Sequence, residues 1–150
     1  MNNELSDPQY KELHKVMIRL FRLHRKVAHE QFNKIGLSEG QPKVLQYLVS
    51  NDGCIQREIA NNCHIEPATV TSLLASMEKA ELIYRVQNPE DRRILNVFLT
   101  DKGRDKEEQL KKIFKELDNK CFRGFTEEDL VQAKDIFIRL TDNLLGKEKE

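Results

Sequence analysis

The stretch from Ile65 to Gly103 constrains the fold most, because its hydrophobic period passes from that of a helix to that of paired strands. After Pro67, the residues Val70, Leu73, Leu74 and Met77 recur at i, i+3, i+4 and i+7, the spacing of one buried helical stripe. The opposite face, Ala68, Thr69, Thr71, Ser72, Ala75 and Ser76, is small and hydroxylic, where a solvated surface helix more often carries Lys and Glu. A low face with hydrogen-bonding groups near a helix N-terminus suits close approach to base edges and phosphates in a major groove. Two strand-like segments follow, Leu82 to Val86 and Ile94 to Leu99, around the polar tip Gln87 to Arg93. The adjacent Arg92 and Arg93 at the end of that ribbon are placed to enter a minor groove or to grip phosphates beside it. Pro89 fixes the backbone for a turn, and Asp91 can pair with one arginine across the tip and hold it extended. The plainer alternative is an ordinary exposed hairpin salt bridge.

Upstream, Gln56 to Asn62 reads as a short helix with Ile59 and Ala60 inward and Gln56 and Arg57 outward; Ile55 stands where a hydroxylic cap is usual. Cys63-His64-Ile65-Glu66 connects it tightly to the Pro67 helix. Two short helices joined in this way predict a helix-turn-helix, with a plain antiparallel helix pair as the alternative. The arginine-tipped hairpin favours the former, since the combination is much rarer than either part. Another helix is expected after Leu37 to Pro42, capped by Ser38, with Val44, Leu45, Leu48 and Val49 as its apolar face and Asn51-Asp52-Gly53 as its end.

Long helices flank this lobe. Pro8 opens one that meets no breaker before Gly36, and its stripe of Leu13, Val16, Met17, Leu20, Phe21, Leu23 and Val27 is too broad for a single packing partner. After Gly103 a second runs to about Phe122 on Leu110, Ile113, Phe114, Leu117 and Cys121. Gly124 breaks it, and Thr126 with Asp129 forms a capping box for a last helix striped by Leu130, Ala133, Phe137, Leu140 and Leu144. These helices carry more apolar surface than a lone lobe covers. A two-fold dimer accounts for the excess and sets two recognition helices about 34 to 36 Å apart, one duplex turn. The organisation expected is one domain over 1–150, with a DNA-reading lobe at 37–103 and helical dimerisation regions at 8–35 and 104–146.

A formal net charge of zero would weigh against nucleic-acid binding if the charge were evenly spread. It is segregated. Lys11, Lys15, Arg19, Arg22, Arg25, Lys26 and Lys34 make the first helix basic, while acids such as Glu127-Glu128-Asp129 gather in the last third. No apolar run approaches the ~20 residues that span a bilayer, and Met1 to Asp7 lacks the regions of a signal peptide, so a cytoplasmic protein without a membrane partner is expected. Cys54, Cys63 and Cys121 are widely spaced with no C-x-x-C, which reads as buried free thiols rather than a disulfide framework or zinc site. His14, His24 and His29 do not stack on one helical face, so no metal and no cofactor are expected. There is no G-x-S-x-G, no phosphate-cradling glycine loop and no H-E-x-x-H, which argues against an enzyme.

The runs Thr69-Val70-Thr71 and Leu82-Ile83, Arg85, and above all Asp91-Arg92-Arg93 followed after six residues by Thr100-Asp101-Lys102-Gly103, resemble the winged helix-turn-helix of the MarR family of bacterial transcription regulators. Gly40 to Leu45 and Gln56 to Ala60 are similar to that family's second and third helices, and the likeness covers essentially the whole chain. It implies a mostly α fold with a small β-wing, a winged helix-turn-helix flanked by long N- and C-terminal dimerisation helices. It also implies a homodimeric, sequence-specific regulator of double-stranded DNA, a repressor on a near-palindromic operator released by a small-molecule effector.

The DNA-binding residues so implied are Gln56, Arg57, Pro67, Ala68, Thr69, Thr71, Ser72, Arg85, Asp91, Arg92 and Arg93. Asp91 orients an arginine into the minor groove, Arg93 by preference and Arg92 as second choice. An effector pocket where the first, second and fifth helices meet gives Met17, Phe21, Leu45 and Leu48, which also read as plain core. The chain departs from the pattern at Glu81, where a glycine commonly ends the recognition helix, and at Ser72 and Ala75, which replace longer residues and shift base contact toward Thr69, Thr71 and DNA shape. Phe98 on the wing is expected to pack on a neighbouring element. The alternatives are a cysteine-based redox regulator of the same fold and a winged-helix protein-interaction module. The family's peroxide sensors carry their reactive cysteine in the first helix, which here has none.

Overall fold

The computed structural model describes residues 7–146, over which the chain forms α1 (Asp7–Lys34), α2 (Gln41–Ser50), α3 (Gln56–Asn62), α4 (Pro67–Lys79), β1 (Ile83–Gln87), β2 (Leu95–Leu99), α5 (Asp101–Cys121) and α6 (Glu127–Leu144). It divides into two units, the first ending at Phe114 and the second beginning at Lys115, within α5. The architecture is mostly helical with one antiparallel pair of strands, as the two hydrophobic periods require.

The core of the first unit is built by Val44, Leu45 and Leu48 of α2, Ile59 of α3, Val70, Leu74 and Met77 of α4, the hairpin's Ile83, Val97 and Leu99, and Leu110 of α5. Leu73, the fourth member of the α4 stripe, is half-buried and lies against Gly40. That glycine, at φ 86°, is the residue that starts α2. Ser38 is therefore not the cap. Instead the buried Gln41 side chain accepts from the Ser38 N–H at 3.0 Å. Ile55 precedes α3, and since it has no side-chain acceptor, only half a capping box forms, with Glu58 accepting from the Ile55 N–H at 2.8 Å.

Both helices of the α3–α4 pair end in a left-handed residue that is not glycine. His64 (φ 52°) ends α3, where the Ile65 N–H reaches back to the Ala60 carbonyl at 3.0 Å. Glu81 (φ 60°) ends α4, where the Glu81 N–H meets the Glu78 carbonyl and the Leu82 N–H meets the Met77 carbonyl, both at 2.9 Å. This pair of bonds is a Schellman closure, so α4 stops where a glycine would have stopped it. A side chain in that conformation costs roughly 1–2 kcal/mol.

Helix α5 starts at Asp101, earlier than its apolar pattern indicates, and takes Gly103 into its first turn. The Thr100 hydroxyl accepts from the Gly103 N–H at 3.0 Å and donates to the Glu81 carbonyl at 2.6 Å. The Thr100 N–H donates to the Leu82 carbonyl at 3.1 Å, and Lys102 Nζ to the Ala80 carbonyl at 2.8 Å. A Cβ on Gly103 would lie 2.1 Å from the Leu82 carbonyl oxygen. The Thr100-Asp101-Lys102-Gly103 run thus welds the end of α4 to the start of α5.

The strands pair from Ile83 opposite Leu99 to Gln87 opposite Leu95. Phe98 does pack on its neighbours: it stacks on Tyr84 across the pair, with centroids 5.3 Å apart, and covers Gly53. Within the first unit α1 packs at its C-terminal end, through the buried Ala28 and through Phe32, whose ring lies 5.5 Å from that of Phe114. Farther back, Leu13, Val16, Leu20, Phe21 and Leu23 remain 47% to 60% exposed.

In the second unit, Thr126 and Asp129 form the expected box. The Thr126 N–H donates to Asp129 Oδ2 at 2.8 Å and the Asp129 N–H to Thr126 Oγ1 at 3.1 Å. Helix α6 buries none of its residues, and the stripe of Leu130, Phe137, Leu140 and Leu144 is exposed.

Two substitutions at the weld should move stability in opposite directions. Gly103→Ala drives a methyl into the Leu82 carbonyl and should cost at least ~2 kcal/mol, while Glu81→Gly relieves the left-handed strain and should add about 1 kcal/mol, both read from urea denaturation.

Candidate nucleic-acid interface

The outer face of α4 presents Ala68, Thr69, Thr71, Ser72 and Ala75, all exposed, while the opposite stripe holds the helix in the core. Glu66 precedes α4 without a side-chain cap, so the N–H groups of the first turn stay open, and Pro67 gives up one donor that would have gone unused. Such an uncapped end favours an anion such as a DNA phosphate. Gln56, at the start of α3, reaches across to α4 and donates from Nε2 to Thr71 Oγ1 at 2.7 Å. Thr71 in turn donates to the Pro67 carbonyl at 3.1 Å, and Ser72 to the Thr69 carbonyl at 3.0 Å.

At the wing tip Asn88 folds the turn, its Oδ1 accepting from the N–H groups of Glu90 at 2.9 Å and Asp91 at 3.3 Å. Of the two arginines, Arg93 is the one held by Asp91. Its Nε and Nη2 donate to the two carboxylate oxygens at 3.1 and 3.2 Å, and its backbone N–H donates to Oδ1 at 3.0 Å. The Arg93 side chain and then its backbone N–H hold the Asp91 carboxyl below the usual carboxylate range, so it is ionised at neutral pH. The Arg93 side chain is nonetheless 90% exposed, its guanidinium aimed but accessible. Arg92 and Arg57 are exposed and make no ion pair among the described residues.

A groove of about 680 Å³ runs between α3, the start of α4 and the wing, and it brings Gln56, Arg57, Pro67 and Arg93 together. Asn61 also lines it, with Ile94. The sequence reading passed over Asn61, although its place on α3, one turn after Arg57, was a usable signal. Arg85 is engaged elsewhere. Its guanidinium grips Glu78 Oε2 through Nε at 2.8 Å and Nη2 at 2.5 Å, with 20% of the side chain exposed, tying β1 to α4.

The four residues named for an effector pocket are not gathered in one. Leu45 and Leu48 are wholly buried in the core, Met17 is half-buried and Phe21 is about half exposed. An open cavity of about 570 Å³ does lie between α1 and α2, lined by Arg25, His29, Phe32, Lys43, Gln46 and Phe114 among others, but by none of those four. Apolar periodicity marks the face of α2 that fills the core, whereas the cavity uses an adjoining, mostly polar face. Cys54 is half-buried, Cys63 buried and Cys121 exposed. Burial, then the nearby Glu58 carboxylate, pushes the Cys54 thiol up to about 11, and burial also raises Cys63. Among the described residues no group of three or more His, Cys, Asp or Glu is placed to hold a metal, and no helix is long and apolar enough to cross a membrane.

A helix-turn-helix followed by an arginine-tipped hairpin over one groove defines a winged helix-turn-helix DNA-binding regulator. The sequence signature of the MarR family matches residues 37–95. The chain is 31% identical over 121 residues to the transcriptional repressor MdtR of Bacillus subtilis, covering 81% of this chain and 78% of that one. This chain belongs to the MarR family of transcription regulators. Its fold is that of a MarR-like regulator from Bacillus cereus (TM-score 0.80, 20% identity, covering 91% of this chain and 98% of that one). It is also that of Bordetella bronchiseptica BpsR, whose DNA binding is regulated by 6-hydroxynicotinic acid (TM-score 0.75, 21% identity, covering 87% and 99%).

Arg93→Ala should weaken binding to a selected duplex by about tenfold or more with the circular dichroism spectrum unchanged, whereas Asp91→Ala should cost about threefold through lost pre-organisation. Fluorescence anisotropy separates the two. With Cys54 at about 11, about one of its thiols in a thousand is ionised at pH 8, so Cys54 and Cys63 should resist iodoacetamide in the folded protein and react on unfolding. Mass spectrometry of the labelled sites reads this directly.

Proposed function

We propose that the chain is a homodimeric, sequence-specific repressor of double-stranded DNA that works in the cytoplasm without catalysis. The observation that carries this reading is the groove between the helix pair and the wing, which Gln56, Arg57, Pro67 and the carboxylate-held Arg93 line together. In this account α4 enters a major groove, and Gln56, Arg57, Pro67, Ala68, Thr69, Thr71 and Ser72 form the contact surface. Arg93 enters the adjacent minor groove, with Asp91 orienting it and Arg92 on the backbone. Residues 37–103 form the reading lobe.

The dimer is supported by apolar surface that one copy leaves open. Helix α6 has no buried residue, and α1 exposes Leu13, Val16, Leu20 and Leu23 at alternating three- and four-residue steps, the repeat of a helix-packing seam. A second copy covering 8–35 and 104–146 buries these faces and sets the two recognition helices about 34 to 36 Å apart on a near-palindromic operator.

Release by a small effector is the regulation that fits best. The α1–α2 cavity sets His29 and Lys43 beside the rings of Phe32 and Phe114, with Arg25 ion-paired to Glu39 in the same lining, a setting that can take an aromatic acid of the kind that regulates BpsR. Thiol sensing is less well supported at Cys54 and Cys63, whose thiols burial pushes up, and the exposed Cys121 is its one open candidate among the three.

The test is a salt titration. With Arg57 and Arg92 from each copy on phosphates, roughly four contacts give a slope of log K on log salt of roughly −4. A slope near zero, or a monomer in sedimentation at micromolar concentration, overturns the reading; the first outcome favours a protein-interaction module.

A further inference from the structure

The outward stripe of α4 is Ala68, Thr71, Ser72 and Ala75, at i, i+3, i+4 and i+7, all exposed. None of these side chains carries an N–H donor, and both hydroxyl protons are engaged within the protein. Thr71 donates to the Pro67 carbonyl and Ser72 to the Thr69 carbonyl, at 3.1 and 3.0 Å. The Thr71 oxygen also accepts from Gln56 Nε2 at 2.7 Å. What remains on this stripe is three methyl groups, the two lone pairs of Ser72 and one lone pair of Thr71, acceptors but no donor.

Along these four residues that inventory disfavours one kind of base and favours another. In the major groove guanine presents two acceptors, O6 and N7, and is read by donors, which this stripe lacks. Thymine presents its C5-methyl, which is read by apolar contact with a methyl group. We propose that Thr71 is the specificity-determining residue of the recognition helix, its γ-methyl reading a thymine C5-methyl in each half-site. Gln56 is the positioning residue that holds the Thr71 hydroxyl inward and so fixes the methyl outward. The proposal rests on the DNA-binding reading above and adds to it the base that is read.

The full chain is used to select duplexes from a randomised library, and thymines of the selected half-site are then replaced one at a time by deoxyuridine, which exchanges only the methyl for hydrogen. At one position per half-site, Kd should rise about fourfold, and about sixteenfold when both half-sites are changed. Thr71→Ser keeps the hydroxyl and its two hydrogen bonds but deletes the methyl, and should bind the thymine and deoxyuridine duplexes equally. Gln56→Ala, whatever it does to absolute affinity, should bring the thymine-to-deoxyuridine ratio toward one, because that ratio reads the methyl alone. If no deoxyuridine substitution weakens the wild type, or if Thr71→Ser keeps the preference, the assignment to Thr71 is overturned while DNA binding stands. An undiminished ratio in Gln56→Ala overturns the positioning role, and a library from which nothing is enriched overturns the DNA-binding reading together with the proposal.

Discussion

The reading lobe depends on how closely two stretches of backbone approach, the Leu82 carbonyl and the first turn of α5 at Gly103. No side chain larger than hydrogen fits there, since a Cβ would sit 2.1 Å from that oxygen. Around the contact the Thr100 hydroxyl bridges the Glu81 carbonyl and the Gly103 N–H, and Lys102 satisfies the Ala80 carbonyl. The Ala80 carbonyl is one that a helix leaves unpaired at its end, and those of Glu81 and Leu82 follow directly after it. The start of α5 therefore caps α4, and β1 is forced to leave from that same point. Recognition helix and wing share one anchor, so their relative position is set before any DNA is present.

The Arg85–Glu78 pair makes the same link a second time, from the strand back to the helix. Its guanidinium is largely covered, so losing either partner strands a half-buried charge. The Arg93–Asp91 pair at the tip is different. It lies in solvent, where such a pair adds little stability, and its effect is geometric. One arginine is extended and the other left loose. A minor groove rewards a guanidinium that arrives without having to be ordered, and a phosphate tolerates one that does not.

The elements were legible in the sequence wherever a periodic apolar pattern had a definite end. The stripe of α4, the hairpin, and the Thr126–Asp129 box all lie where pattern and capping chemistry place them. What was not legible depended on a distant partner. Ser38 had the chemistry of a cap, but Gly40 took the role because the chain must turn at φ 86° while Leu73, far along the sequence, presses against it. Gly103 read as a break before a helix, whereas it lies inside one for the sake of a contact with Leu82. Arg85 reads in the sequence as one more cation of the wing, whereas its guanidinium is held by Glu78. The α1–α2 cavity escaped for a related reason, because residues such as Arg25, His29, Lys43 and Gln46 form no apolar period.

A lobe made rigid by two such anchors has a consequence for regulation under the proposed dimer. Little inside it can be adjusted without breaking the core, so control has to act on the separation of the two lobes. A ligand does this by binding one separation better than the other, and each ~1.4 kcal/mol of preference shifts the balance tenfold. An effector in the α1–α2 cavity touches α1, whose exposed seam is the proposed partner surface, and α2, which is packed into the lobe core. In the proposed dimer the cavity would span the two elements whose relation sets the spacing. Under the proposed dimer, a modest preference for one separation would change occupancy of an operator without any block of the DNA surface.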